Sequence, residues 1–267
     1  MTGAAPAQKL CSAFDAGARN FDRHRAVKPD IAAAIHDTVL AAAPIPRPRL
    51  LDLGAGTGRI GWPFVAARDD YTGVDLSLGM LRAFVARDDL GPGAPRLVQA
   101  DGEQLPFAGA TFDIVMLIQV FGGLRGWRRV LADAQRVLRR PGAIVLGRTI
   151  MPDGGVDAQM KQRLRAIFTE IGIDPRHENA RTDAEILLAS AASNVSFETA
   201  AQWQASRNAR EFLERHKTAA RFSAFPERVK DEALRKLATW AAQKFGSLDA
   251  DTPEQHQFEL RMFKFES

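Results

Sequence analysis

Short, almost unbroken apolar runs alternate along this chain with longer stretches of helical spacing, a rhythm that predicts parallel strands joined by helices. Leu50, Leu51 and Leu53 form the first run, residues 71–74 the second, and a third begins at Leu97 and ends at Asp101. Residues 112–120 are nearly all apolar, as a central strand covered on both faces should be, and residues 143–146 predict a fifth strand. Helices are predicted over residues 60–67 and over a stretch ending at residues 138–142, whose apolar stripe is Val130, Leu131, Ala134, Val137 and Leu138. Later, Val195, Phe197, Thr199, Ala201 and Trp203 alternate at strand period, as do Phe258, Leu260 and Met262.

The flanks read differently. Residues 8–43 look helical in two pieces, and the proline-rich residues 44–48 form a stiff link into the first strand. Residues 156–171 predict a helix ended by Gly172 and Pro175, and Thr182 with Glu185 has the form of a capping box. Residues 208–245 are mostly helical with a break at Pro226, which reads as a lid over an acceptor pocket.

The richest stretch is Leu50-Leu51-Asp52-Leu53-Gly54-Ala55-Gly56-Thr57-Gly58-Arg59. A strand followed by alternate glycines turns tightly, brings backbone against a ligand and aims the next helix's N-terminus at it. A dinucleotide fingerprint needs its third glycine one residue later than here, and Asp52 stands two residues before the first glycine. Asp75 ends the second strand, placed to accept both hydroxyls of a ribose, and Asp101 ends the third. Alone, Asp75 would suit a helix N-cap and Asp101 an Asx turn; at consecutive strand ends the two together favour a bound ligand. Asp52 either hydrogen-bonds within the loop or turns a negative charge toward a cationic ligand.

With these elements in this order, residues 10–150 resemble the class I S-adenosylmethionine-dependent methyltransferases, in particular the small-molecule (methyltransferase type 11-like) group with its D-x-G-x-G-x-G, G-V-D-x-S and D-x-x-x-L-P-F strings. The resemblance implies an α/β, Rossmann-like, doubly wound sheet of seven strands, mostly parallel with the last antiparallel. Residues 195–203 and the tail would supply its antiparallel sixth and seventh strands. It divides the chain into a helical cap (residues 1–48), a cofactor-binding core (49–150) and a completion of the sheet (151–267) that carries the lid (about 207–246). It implies S-adenosyl-L-methionine as cofactor and S-adenosyl-L-homocysteine as product. Gly54, Ala55, Gly56, Thr57 and Gly58 would lie against the methionine part, and Asp75 with Leu76 and Met80 at the ribose. Asp101, with the backbone of Gly102 and Glu103, would read the adenine, and Gln119 and Val120 would flank the ligand. The stretch Phe21-Asp22-Arg23-His24-Arg25 resembles a cap that carries Tyr where this chain has Phe21. Arg25 there suits the methionine carboxylate or, equally, a plain surface position.

The implied reaction is in-line methyl transfer to an oxygen, nitrogen or carbon nucleophile of a small-molecule acceptor, driven by alignment and without a metal. If the acceptor must lose a proton, His24 is the first candidate base and His216, in the lid, the second; His36 and His177 qualify by residue type alone. Phe121, Trp127, Phe222 and Phe225 are candidates for the acceptor pocket, while Trp203 and Phe212 read as core. Two other readings remain open: an S-adenosylmethionine-binding protein without transfer, and an NAD-type dehydrogenase, against which the early third glycine and residues 101–107 argue.

Composition sets the outer limits. The 267 residues, 46% hydrophobic and 25% charged, suit one good-sized core with additions. Cys11 is the single cysteine, which excludes an internal disulfide framework, and neither a membrane-length apolar run nor a leader-like opening is present, so a cytoplasmic protein is expected. The net charge of +4 raises nucleic acid as a partner. Against this, Arg125, Arg128, Arg129, Arg136, Arg139 and Arg140 mostly avoid the apolar stripe of one predicted helix and read as its solvated face. The expected partner is therefore a small molecule, with no nucleic acid and no membrane, for a monomer or homodimer.

Overall fold

A computed structural model describes residues 22, 27–43, 45–122, 124, 126–173, 180–217 and 225–266. Its seven strands are β1 (Arg49–Leu53), β2 (Asp70–Asp75), β3 (Arg96–Gln99), β4 (Phe112–Ile118), β5 (Leu138–Ile150), β6 (Asn194–Arg207) and β7 (Thr252–Phe265). They form one sheet in the order 3-2-1-4-5-7-6. The first five pair in parallel, and β7 runs antiparallel to both β5 and β6, so β7 alone opposes the others. Pairing of β6 with β7 is interrupted by a bulge between Thr199 and Ala201.

Eight α-helices accompany the sheet among the described residues: α1 (Pro29–Ala41), α2 (Trp62–Ala66), α3 (Leu78–Val85), α4 (Trp127–Val137), α5 (Val156–Glu170), α6 (Ala180–Ala191), α7 (Ala209–Lys217) and α8 (Glu227–Phe245). The period of two in β4 divides the core. Ile114, Met116 and Ile118 face a cluster with α1, α2 and Phe84 of α3, while Val115 and Leu117 face one with α4 and α6. A third cluster, away from the sheet faces, joins α5 to α7 and α8 through Met160, Leu164, Phe212 and Leu237. Within the helical segment predicted over residues 208–245, the described residues include α7 and α8, the latter starting after Pro226, and both pack with α5. None of the described helices is long and apolar enough to cross a membrane.

Three expectations change. The helix thought to reach residues 138–142 stops at Val137, and those residues already belong to β5. Arg139 thereby reaches the buried Asp113 of β4 at 2.9 Å, and the same carboxylate accepts the Arg49 amide of β1, tying three strands at their amino ends. Gly142 permits that course, since a Cβ there would stand 2.3 Å from the Arg139 carbonyl. Arg139 and Arg140 thus leave the solvated helix face to which they were assigned, and Arg125 lies outside the described residues. Thr182 is not a cap, because α6 already includes Ala180, and Glu185 instead binds Arg181 one turn back and Arg261 on β7. Trp127, a candidate for the acceptor pocket, is buried in the α4 core.

This third cluster rests on apolar packing, and Leu237 of α8 is fully buried within it. Leu237→Ala is expected to cost about 2–5 kcal/mol, read as a lowered midpoint in denaturant unfolding.

Candidate active site

Two of the three loop glycines are forced by what stands over them. Gly54 (φ +80°) would place a Cβ 2.4 Å from Val120, and Gly58 (φ +78°) would place one 2.2 Å from the buried ring of Phe84. Gly56 (φ +57°) differs, because a Cβ there meets only the Gly54 carbonyl at 3.8 Å, so its backbone borders open space. Gly54 and Ala55 both donate to the Val74 carbonyl at the end of β2, which folds the loop back across the carboxyl edge of the sheet. Thr57 is buried, and its hydroxyl donates to Asp22 at 2.6 Å; Asp22 also receives Arg87 at 3.3 Å. Asp22 is thereby latched to the loop, whereas His24 and Arg25 lie outside the described residues.

The acid at the end of β2 faces the loop. Asp75 accepts the Gly56 amide on Oδ2 at 2.9 Å and the Ser77 amide on Oδ1 at 2.8 Å. The N-cap of α3 is Ser77, whose hydroxyl accepts from Met80, so Asp75 does not serve as that cap. Leu76 is half-buried and its carbonyl accepts Gln99, while Met80 is buried in the core. Asp52 sits behind the loop, 3% exposed, and accepts the hydroxyl of Tyr71 at 2.8 Å. Its bond runs to β2 rather than within the loop. Burial raises its pKa from 3.8 to about 6, against the Tyr71 hydrogen bond and with help from the Asp75 charge. The Tyr71 hydroxyl is pushed well above its usual range, by burial and by the Asp52 and Asp75 charges.

Across the edge, Gln119 leaves β4 at φ +58°, a left-handed conformation uncommon outside glycine. Its side chain closes a bridge: Arg59 donates to its Oε1 at 2.8 Å, and its Nε2 donates to Thr149 of β5 at 2.9 Å. The loop after β1 and the ends of β4 and β5 are thus joined around the point where strand order reverses, where open α/β sheets bind ligands. Asp101 is exposed past the end of β3, and its Oδ1 accepts the Glu103 amide at 2.9 Å in an Asx turn. That amide is spent on Asp101 and is not offered to an adenine, a correction to the expected role of Glu103. The Glu103 carboxylate is paired with Arg129 of α4 at 2.5 Å.

The described candidate bases sit elsewhere. His36 lies between Asp37 and Asp69, beside the amino end of β2 and opposite the loop. His216 is buried, its Nδ1 donates to the Phe212 carbonyl at 2.7 Å and its ring stacks on Phe212 at 3.8 Å, so the packing of α7 itself accounts for it. His177 and Phe222 lie outside the described residues. The histidine that sequence reasoning passed over is His256, fully buried near the start of β7 and 3.0 Å from Glu254. Tyr71, Arg87 and Thr149 were passed over as well, although Tyr71 carries a visible signal as the single tyrosine of the chain.

Gly58→Ala combines a positive φ with overlap onto Phe84 and is expected to lower stability by about 2–4 kcal/mol, measured by thermal or urea unfolding. For Asp52 the sign follows from its raised pKa. Below pH 3.8 both folded and unfolded carboxyls hold the proton; as pH rises toward 6 the unfolded chain sheds it first, and the native state loses about 3 kcal/mol. Asp52→Asn should therefore flatten the fall in unfolding free energy between about pH 4 and about pH 6 by this amount, and an unchanged slope would contradict that origin.

Residues 51–146 match the methyltransferase domain family. Among curated proteins, the chain is 38% identical over 181 residues to malonyl-[acyl-carrier protein] O-methyltransferase of Geobacter sulfurreducens, covering 66% of this chain and 63% of the relative. It is 32% identical over 140 residues to demethylmenaquinone methyltransferase of Streptomyces griseus, covering 52% and 59%. The chain thus spans less than two thirds of the length of either. Among solved structures, the YcgJ protein of Bacillus subtilis superposes with a TM-score of 0.56 at 18% identity, over 88% of this chain and 99% of that one. Phosphoethanolamine N-methyltransferase 2 of Haemonchus contortus does so at 0.53 and 16%, over 95% and 57%. Residues 51–146, which carry the glycine loop and the acid-ended strands, are thus a methyltransferase domain of the class I, S-adenosylmethionine-dependent kind, set in a Rossmann-like sheet.

Proposed function

We propose that this chain binds S-adenosyl-L-methionine at the carboxyl edge of the sheet and transfers its methyl group to an oxygen, nitrogen or carbon nucleophile of a small molecule, without a metal. The observation that carries the reading is the loop itself, where Gly56 presents open backbone and hands its amide to Asp75. Asp75, half-buried and oriented by the Gly56 and Ser77 amides, is of the acceptor-only chemistry that suits the hydroxyls of a ribose. Asp101, held on one oxygen by its Asx turn, turns the other to the exocyclic amine of an adenine. Asp52, ionised at neutral pH, puts a negative charge behind the loop and so favours a cationic ligand. Val120 and the Gln119 bridge wall the edge between β1 and β4.

The bound cofactor supplies a methyl group on a cationic sulfur, with a neutral thioether as leaving group. What the chain adds is alignment and exclusion of water, and alignment alone supplies effective molarities of about 10⁵ M or more. The lid of α5, α7 and α8 and the latch at Asp22 lie on elements that border this edge and suit the excluding role. The curated relatives named above act on unlike acceptors, in keeping with a shared core and divergent surroundings.

Calorimetry with S-adenosylmethionine, S-adenosylhomocysteine and NAD tests the cofactor. Micromolar binding of the first two, weakened at least about tenfold in Asp75→Ala by loss of charge-assisted hydrogen bonds, is expected. Binding of NAD alone, or of none, would overturn the proposal.

A further inference from the structure

The strand that opposes the rest of the sheet brings a second polar centre to the site's edge. Because β7 is antiparallel, its first residues lie at the carboxyl ends of the parallel strands, the end that carries the glycine loop and Gln119. Gln257 pairs with Ile150, the last residue of β5, so Glu254 and His256 stand just beyond it. They are two residues apart on one face, the face whose later members Phe258, Leu260 and Met262 pack with Ile118 of β4. Both are buried, Glu254 at 4% and His256 at 0% exposure.

Hydrogen bonding fixes the state of this pair. Glu254 accepts the Val156 amide, the first of α5, on Oε1 at 2.7 Å, and lies 3.0 Å from Nε2 of His256 on Oε2. An N-terminal helix amide stabilises the ionised carboxylate, and a carboxylate can only accept, so Nε2 carries the ring proton. In the neutral ring Nδ1 is then a bare lone pair. Among the described residues it has no hydrogen-bond partner, although it is buried. An interior acceptor left unpaired is costly. A carboxylate that sets the tautomer and orientation of an imidazole, with the far nitrogen open, is the arrangement of a general base. Of the surroundings, β6 contributes the half-buried Trp203, ring to ring at 5.6 Å. On α5, Asp157 is occupied by Arg215 at 2.5 Å, leaving Glu254 as the carboxylate that serves His256.

Resting on the methyl-transfer reading above, we propose that His256 is the base for the acceptor, positioned by Glu254, and that the acceptor is therefore a hydroxyl or amine protonated at neutral pH rather than a carboxylate. The acceptor's O–H or N–H group is the hydrogen-bond partner of Nδ1. Its lone pair forms the bond to the methyl carbon, the carbon–sulfur bond breaks with both electrons kept by sulfur, and the acceptor's proton passes to Nδ1. The imidazolium so formed is stabilised by Glu254 and returns the proton to water. A carboxylate acceptor is already ionised and has no use for such a group.

Two measurements decide. In long-range ¹H–¹⁵N spectra of the labelled chain, with the resonance assigned through His256→Gln, His256 is expected as the neutral Nε2–H tautomer at about pH 7.5, a preference that Glu254→Gln abolishes. A proton on Nδ1 in the resting chain would overturn the proposal whether or not turnover is seen. Labelled methyl transfer is then followed to a naphthohydroquinone, to phosphoethanolamine and to malonyl-coenzyme A. His256→Gln is expected to lower kcat on the hydroxyl or amine probe by about 10²–10⁴-fold while calorimetric affinity for S-adenosylmethionine stays within about twofold. Methylation of the carboxylate probe alone, or an unaltered kcat in the variant, would refute the role of His256. Failure of the wild-type chain to bind S-adenosylmethionine would instead sink the underlying reading, a distinct result.

Discussion

Val120 and Phe84 leave no room for a Cβ at Gly54 and Gly58, and that crowding shapes the whole carboxyl edge. With the loop pressed between them, its amides turn outward to Val74 and Asp75, and Thr57 turns inward to Asp22. The residue after the last glycine, Arg59, then meets Gln119 and through it Thr149. Close approach of backbone at two points thus brings donors and acceptors from three strands together at one edge, with the Arg59 and Gln119 side chains closing the span. The strained conformation of Gln119 belongs to the same economy of space, since it lets one amide face both neighbours.

The parts that were legible in the sequence are local. Alternate glycines, apolar runs and acids at strand ends act within a few residues of themselves, so Leu50 to Asp75 folds much as its own pattern says. Boundaries failed where one pattern satisfies two structures. Leu138 completes the apolar stripe of α4 but equally begins β5, and what decides is Asp113, a residue on another strand that captures Arg139. Thr182 and Glu185 have cap spacing, yet Glu185 is taken by Arg261 from β7, 76 residues away.

The same reasoning explains why the surroundings of the histidines were not legible in the sequence. His36 and His216 sit on helices and are absorbed by partners close at hand, Asp37 in one case and the Phe212 carbonyl in the other. Glu254 and His256 lie in a polar stretch of the tail that no short motif distinguishes. Their surroundings include Val156, 98 residues earlier, whose amide donates to the Glu254 carboxylate. Asp101 falls between these cases, since its position at the end of a strand is visible but the amide it consumes is not.

The bulge in β6 bears on what the margin of the sheet offers to another chain. A 14-residue strand at the margin of a sheet offers a row of unpaired amides and carbonyls on which any extended chain can be laid. Where Thr199 and Ala201 pair with adjacent residues of β7, Ala200 is left over, and the strand must bend and twist more tightly there. An incoming strand would keep its alternation for half the length and lose it for the rest. One surplus alanine thus makes the longest open margin of the fold a poor template for aggregation.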